Sequence, residues 1–65
     1  MVEVMFVVRP IYHGISLASS YCGTLKEALG RRDELKKQYK MVELLKVTEC
    51  VEENVVVSRK VEQVK

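Results

Sequence analysis

One histidine, one proline, three glycines and two cysteines are all that this chain of 65 residues holds of the residues that most often build metal sites, turns and covalent frameworks. With His13 alone, a metal site has to be assembled from Cys22, Cys50 and carboxylates, and neither C-x-x-C nor H-x-x-x-H spacing is present. No metal and no cofactor are therefore expected. The two cysteines make a thin framework beside the dense ones of small secreted domains. A single disulfide stays open for an oxidising compartment, and the adopted reading is two half-buried thiols packed as small apolar groups. No hydrophobic run is long enough to cross a bilayer or to act as a secretory core after a basic start, so a cytoplasmic protein is expected.

Charge of one sign is also missing. Eleven basic residues against nine acidic leave +2, too balanced to announce a nucleic-acid or membrane partner and far from an acidic DNA mimic. Scarce proline and glycine in a chain that is 48% hydrophobic exclude a disordered tail or a low-complexity linker. No internal repeat is visible. A chain of this length forms one domain and buries only about 60% of its unfolded surface, so further burial has to come from elsewhere.

What is present is organised around Gly23 to Lys40, GTLKEALGRRDELKKQYK. Thr24 with Glu27 three residues on reads as a capping box opening a helix over 24–40. Leu25, Ala28, Leu29, Leu35 and Tyr39 recur at helical spacing, with Arg32 on the same stripe able to lay its stem on apolar surface. Glu27 with Arg31 and Asp33 with Lys37 are acidic-then-basic pairs at i,i+4, each contributing about 0.2 to 0.5 kcal/mol on the solvated face. Gly30 costs roughly 1 kcal/mol against alanine in the helix interior. It is read as tolerated, with close approach of a sheet or partner as the alternative.

Before the helix, Val2 to Tyr12 alternates with period two and is rich in β-branched residues, which predicts a strand over 2–9. Pro10 either ends it near Arg9 or sits where no ladder bond is needed. His13-Gly14 is read as a hairpin tip, with a second strand over 15–22 that sets Tyr12 against Ile15, Val8 against Ser19, Phe6 against Tyr21, Arg9 against Ala18 and Met5 against Cys22. After the helix, MVELLKVTECVE has no cleanly polar parity. A strand over 42–51 is predicted, with helical continuation through Met41 to Leu45 kept as a boundary alternative. Glu53-Asn54 is the next turn, with asparagine tolerant of the left-handed region, and a last strand runs over 55–61. That tip would oppose Cys50 to Val57, Thr48 to Arg59, Glu49 to Ser58 and Val47 to Lys60. Val61 to Lys65 are expected to fray.

The predicted fold is therefore α+β, a ββαββ chain with an antiparallel sheet of order 2-1-3-4 and one helix across one face. One helix covers only part of such a sheet. Met5, Val7, Ile11, Ala18 and Cys22, joined by Leu45 and Val47, are predicted to form an apolar second face that nothing in this chain covers, a candidate interface.

Chemistry is not legible. A Cys-His nucleophile pair is formally available with Cys22 or Cys50, but His13 lies at a predicted turn, and no base with its orienting partner, phosphate loop or paired carboxylate stands out, so no enzyme is expected. Arg31, Arg32, Lys36, Lys37 and Lys40 make the second half of the helix basic. They are candidate phosphate contacts, yet Asp33 and Glu34 interrupt them, stacking aromatics are few, and cations at a helix C-terminus also complement its dipole. Tyr12, Tyr21 and Tyr39 fall at expected core or interface edges.

An apolar β-hairpin, then GTLKEALGRRDELKKQY, then KMVELLKVTE resembles the small β-β-α-β proteins encoded in phage and prophage genomes, many of them accessory, host-takeover or anti-defence factors. The resemblance is architectural, covers most of the chain and carries over no functional residue. It implies a stoichiometric binder that in some cases inhibits a host protein and acts in the host cytoplasm. Together these features predict a non-enzymatic protein-binding module acting as a homo-oligomer, a dimer first. A nucleic-acid-binding regulator using the basic helix end and a nucleotide sponge at an oligomer interface are the alternatives.

Overall fold

The computed structural model describes residues 1–64. Its elements in chain order are β1 (Val2–Tyr12), β2 (Ile15–Ser16), β3 (Ser20–Cys22), α1 (Leu25–Lys36), β4 (Met41–Glu52) and β5 (Val55–Gln63). They form an α+β fold with one helix and one antiparallel sheet, ordered β2-β1-β4-β5, with β3 also paired to β1. The sheet thus has five strands where four in the order 2-1-3-4 are predicted, because the predicted second strand is interrupted.

Pro10 accounts for the interruption. β1 runs through it to Tyr12, and Pro10 lies opposite Val42. On the other side the Leu17 N–H donates to the Pro10 carbonyl at 2.9 Å, but proline has no N–H to return the bond. The ladder lapses at this rung. Tyr12 opposes Ile15 and Ile11 opposes Ser16 as predicted, whereas beyond the gap Val8 opposes Ser20, Val7 opposes Tyr21 and Phe6 opposes Cys22. One extra residue has entered the strand. Since side chains alternate faces, the slip moves Tyr21 and Cys22 to the faces opposite to those predicted.

The second hairpin repeats the pattern. His13 (φ 50) with Gly14 (φ 79), and Glu53 (φ 50) with Asn54 (φ 64), form tips in the left-handed region, the geometry that two-residue hairpin loops need. Glu52 opposes Val55 and Val51 opposes Val56, then a bulge shifts the register so that Cys50 opposes Ser58, Glu49 opposes Arg59, Thr48 opposes Lys60 and Val47 opposes Val61. The predicted pairs of Cys50 with Val57, Glu49 with Ser58, Thr48 with Arg59 and Val47 with Lys60 are thereby all corrected by one residue. β5 continues through Gln63 and Val64 packs against the core, so Val61 to Val64, expected to fray, are held in the sheet. Lys65 lies outside the described residues.

α1 begins at the predicted cap, with Thr24 Oγ1 accepting from the Glu27 N–H at 3.2 Å, while the return bond of the capping box, from the Thr24 N–H to the Glu27 carboxylate, does not form among the described residues. It ends at Lys36, not Lys40. The Gln38 and Tyr39 N–H groups both donate to the Leu35 carbonyl, closing the last turn before Met41 takes its place opposite Ile11 in the sheet. Neither predicted i,i+4 pair forms among the described residues. Arg31 donates instead to Glu34 Oε2 (3.4 Å) and Ser20 Oγ (3.3 Å).

Ala28 of α1, Val8 of β1 and Leu44 of β4 form the buried cluster, with Phe6, Cys22, Leu29, Leu35, Val42 and Val64 packed around it. A helix of 12 residues is roughly 18 Å long, while a strand of 12 residues such as β4 rises roughly 40 Å, matching the 40 Å long dimension of the molecule. α1 therefore covers the end of the sheet near Pro10 and Val42 and leaves the end holding Val2, Val4 and the Glu53-Asn54 hairpin bare.

Candidate interaction surface

Two surfaces escape α1. The first is the sheet face turned away from it. Alternation along β1 and β4 puts Met5, Val7, Ile11, Leu45 and Val47 on this face together, Val7 opposite Leu45 and Met5 opposite Val47. Two other predicted members are elsewhere. Cys22 turns to the helix side and packs against the core, because the gap after Leu17 slips the strand by one residue. Ala18 lies in the gap itself, exposed and unpaired with β1. Tyr21 comes to this face instead, opposite Val7, and is largely exposed.

This face is a striped surface. Arg9 lies opposite Glu43 and donates to its Oε2 from Nη2 at 2.6 Å and Nε at 3.1 Å. Glu49, itself buried, lies opposite Arg59, whose Nε is 3.4 Å from Glu49 Oε2. Between these two ion pairs runs the apolar row Met5, Val47, Val61, with Val7 and Leu45 alongside. Val7 and Val47 are only 8% and 5% exposed although they lie outside the cluster that α1 covers. Half-buried Met5 and Leu45 stand beside them on the face, between the two ion pairs. The row opens to solvent at its β5 end, where Val61 is 53% exposed.

The second surface is β5. Every one of its residues is exposed, Val55, Val56, Val57 and Val61 included. It is the terminal strand of the sheet, paired only with β4, and α1 packs on β1, β3 and β4 without touching it. Its run of valines was legible as strand sequence, but its importance as an edge was not read from it. The signal was available in its position as the last strand of the order.

The remaining candidates are dispersed. Cys22 and Cys50 are both free and half-buried, and His13 sits exposed at a hairpin tip with its ring 4.2 Å from that of Tyr12. Tyr12 meets Tyr39 edge to face at 6.4 Å, and the two line a cleft with His13, Gln38, Lys40 and Met41. No three metal-capable side chains come together among the described residues, and no helix is long and apolar enough to cross a membrane. Of the basic set, Arg31 is engaged with Glu34 and Ser20, and Arg32 lies half-buried with its Nε unpartnered, while Lys36, Lys37 and Lys40 are exposed. Compared with protein families, curated proteins and solved structures, the chain matches none.

Proposed function

We propose that the protein is a non-enzymatic binding module that works as a homo-oligomer and takes protein as its ligand. The observation that supports this most is the imbalance between five buried apolar side chains, Val7, Val8, Ala28, Leu44 and Val47, and the valines left in water along β5 and at the start of β1, Val2, Val4, Val55, Val56, Val57 and Val61. A chain this small gains stability by mass action when a second molecule covers such surface. The striped face adds specificity. Its ion pairs hold long side chains in place beside an apolar row, and a partner must match both.

Light scattering coupled to size exclusion tests the oligomer. The expected mass is at least twice the 7.5 kDa of one chain, and a monomer at tens of micromolar overturns the reading. The expectation of a host protein as partner rests on the resemblance to phage-encoded accessory proteins, and a pull-down from bacterial lysate repeated with Leu45→Glu tests it: a partner that binds both chains equally does not use this face. A nucleic-acid regulator would act through Lys36, Lys37 and Lys40, and binding to DNA that does not weaken with salt removes it. A nucleotide sponge would raise the melting temperature in a nucleotide screen.

A further inference from the structure

We infer that two copies of this chain join edge to edge along β5, antiparallel and in the single register centred on Val61, an inference that rests on the homo-oligomeric reading above.

The hydrogen-bond phase of β5 is fixed by its neighbour. The Val64 N–H donates to the Leu44 carbonyl at 2.8 Å, and bonded rungs recur every second residue in an antiparallel ladder. Ser58, Lys60 and Glu62, opposite Cys50, Thr48 and Lys46, therefore spend their backbone groups on β4. The ladder on the other side of β4 agrees, because there the odd-numbered Val51 exchanges bonds with Met1. Arg59, Val61 and Gln63 are left with N–H and C=O groups pointing out of the sheet. An exposed row of this kind is a template for another strand.

Two-fold symmetry restricts what a second copy can do. With the axis perpendicular to the sheet each face meets itself, so the pairing has to be centred on a residue and not between two. Centring on Arg59 sets arginine against arginine, on Lys60 lysine against lysine, and on Glu62 glutamate against glutamate. Centring on Ser58 lays Arg59 and Lys60 against Val57 and Val56 and runs through the bulge. Centring on Val61 sets Lys60 of each copy against Glu62 of the other, twice, and Arg59 against Gln63. This register alone joins opposite charges. Lys60 and Glu62 share a face, and their head groups already lie 3.8 Å apart along one strand. In the same register the outward groups of Val61 bond to those of its counterpart, and those of Arg59 to Gln63. The row Met5, Val47, Val61 then continues across the junction into its own mirror sequence, covering the end that is open in one chain.

The test is charge reversal with mixing, read by sedimentation equilibrium of the full chain. Lys60→Glu and Glu62→Lys each turn two attractive cross-strand contacts into two repulsive ones, so each alone should raise the dimer dissociation constant by about tenfold or more. Mixed in equal amounts they should restore association, because one chain then carries acids at both positions and its partner bases. Effects within a chain, such as Glu62→Lys meeting Lys46, are not repaired by mixing. Val61→Pro removes an N–H that β4 does not use, in an edge strand that tolerates proline, and should keep the circular dichroism spectrum while losing the dimer. A wild-type dimer that neither reversal weakens, or reversals that mixing does not rescue, overturns the β5 register and leaves the oligomer standing. A monomeric wild type overturns both.

Discussion

Replacing Gly30 by alanine should stabilise the protein. Gly30 lies inside α1, its φ is not positive, and a Cβ built on it meets nothing within 4 Å. The substitution therefore costs no strain and no collision. It removes the backbone freedom that glycine loses on entering a helix, a difference of about 0.8 to 1.0 kcal/mol. In a domain whose single core supplies about 3 to 5 kcal/mol that is a large fraction, and for this chain length it corresponds to about 4 to 8 °C in melting temperature. Urea unfolding followed by circular dichroism, at one protein concentration for both chains, measures it. The midpoint should rise with the slope unchanged. No gain, or a loss, would refute the reasoning and mean that Gly30 admits a close approach to something outside this chain, making α1 part of an interface.

Three further outcomes follow from the same geometry. Leu44→Ala empties the centre of the buried cluster at a cost of about 2 to 5 kcal/mol, comparable to the whole stability, so the circular dichroism of the variant should show an unfolded chain at room temperature; a cooperative transition near the wild-type midpoint would contradict it. Gly14→Ala forces a side chain into φ 79 and should lower the urea midpoint by the equivalent of about 1 to 2 kcal/mol. Thr24→Ala removes the oxygen that accepts from Glu27 and should cost about 1 kcal/mol in the same assay.

The parts of the fold legible in the sequence are those fixed by local chemistry. Thr24 and Glu27 mark the helix start. His13-Gly14 and Glu53-Asn54 mark two tips, because few residues tolerate the left-handed region. The lack of a polar parity in Met41 to Glu52 fits a strand enclosed on both sides, between β1 and β5 and with α1 on one face. What sequence periodicity missed are two single-residue slips. The first follows from Pro10, whose missing donor unsettles its rung. The second falls in Val55-Val56-Val57, where three like residues suit either face and leave the register undecided; the pairing of Arg59 with Glu49 and of Val61 with Val47 settles it from across the sheet. These slips carried Cys22 away from the predicted interface and brought Tyr21 and Val61 to it. The helix end was missed because Tyr39 fits the apolar stripe, yet its ring turns to Tyr12 instead.

Amide hydrogen exchange along β5, followed by nuclear magnetic resonance over a dilution series, measures the junction most directly. The amides of Lys60 and Glu62, bonded to β4, should be protected at every concentration. Those of Arg59, Val61 and Gln63 should be protected in concentrated samples and lose protection together as the protein is diluted. Fast exchange at Val61 in concentrated and dilute samples alike would contradict the account.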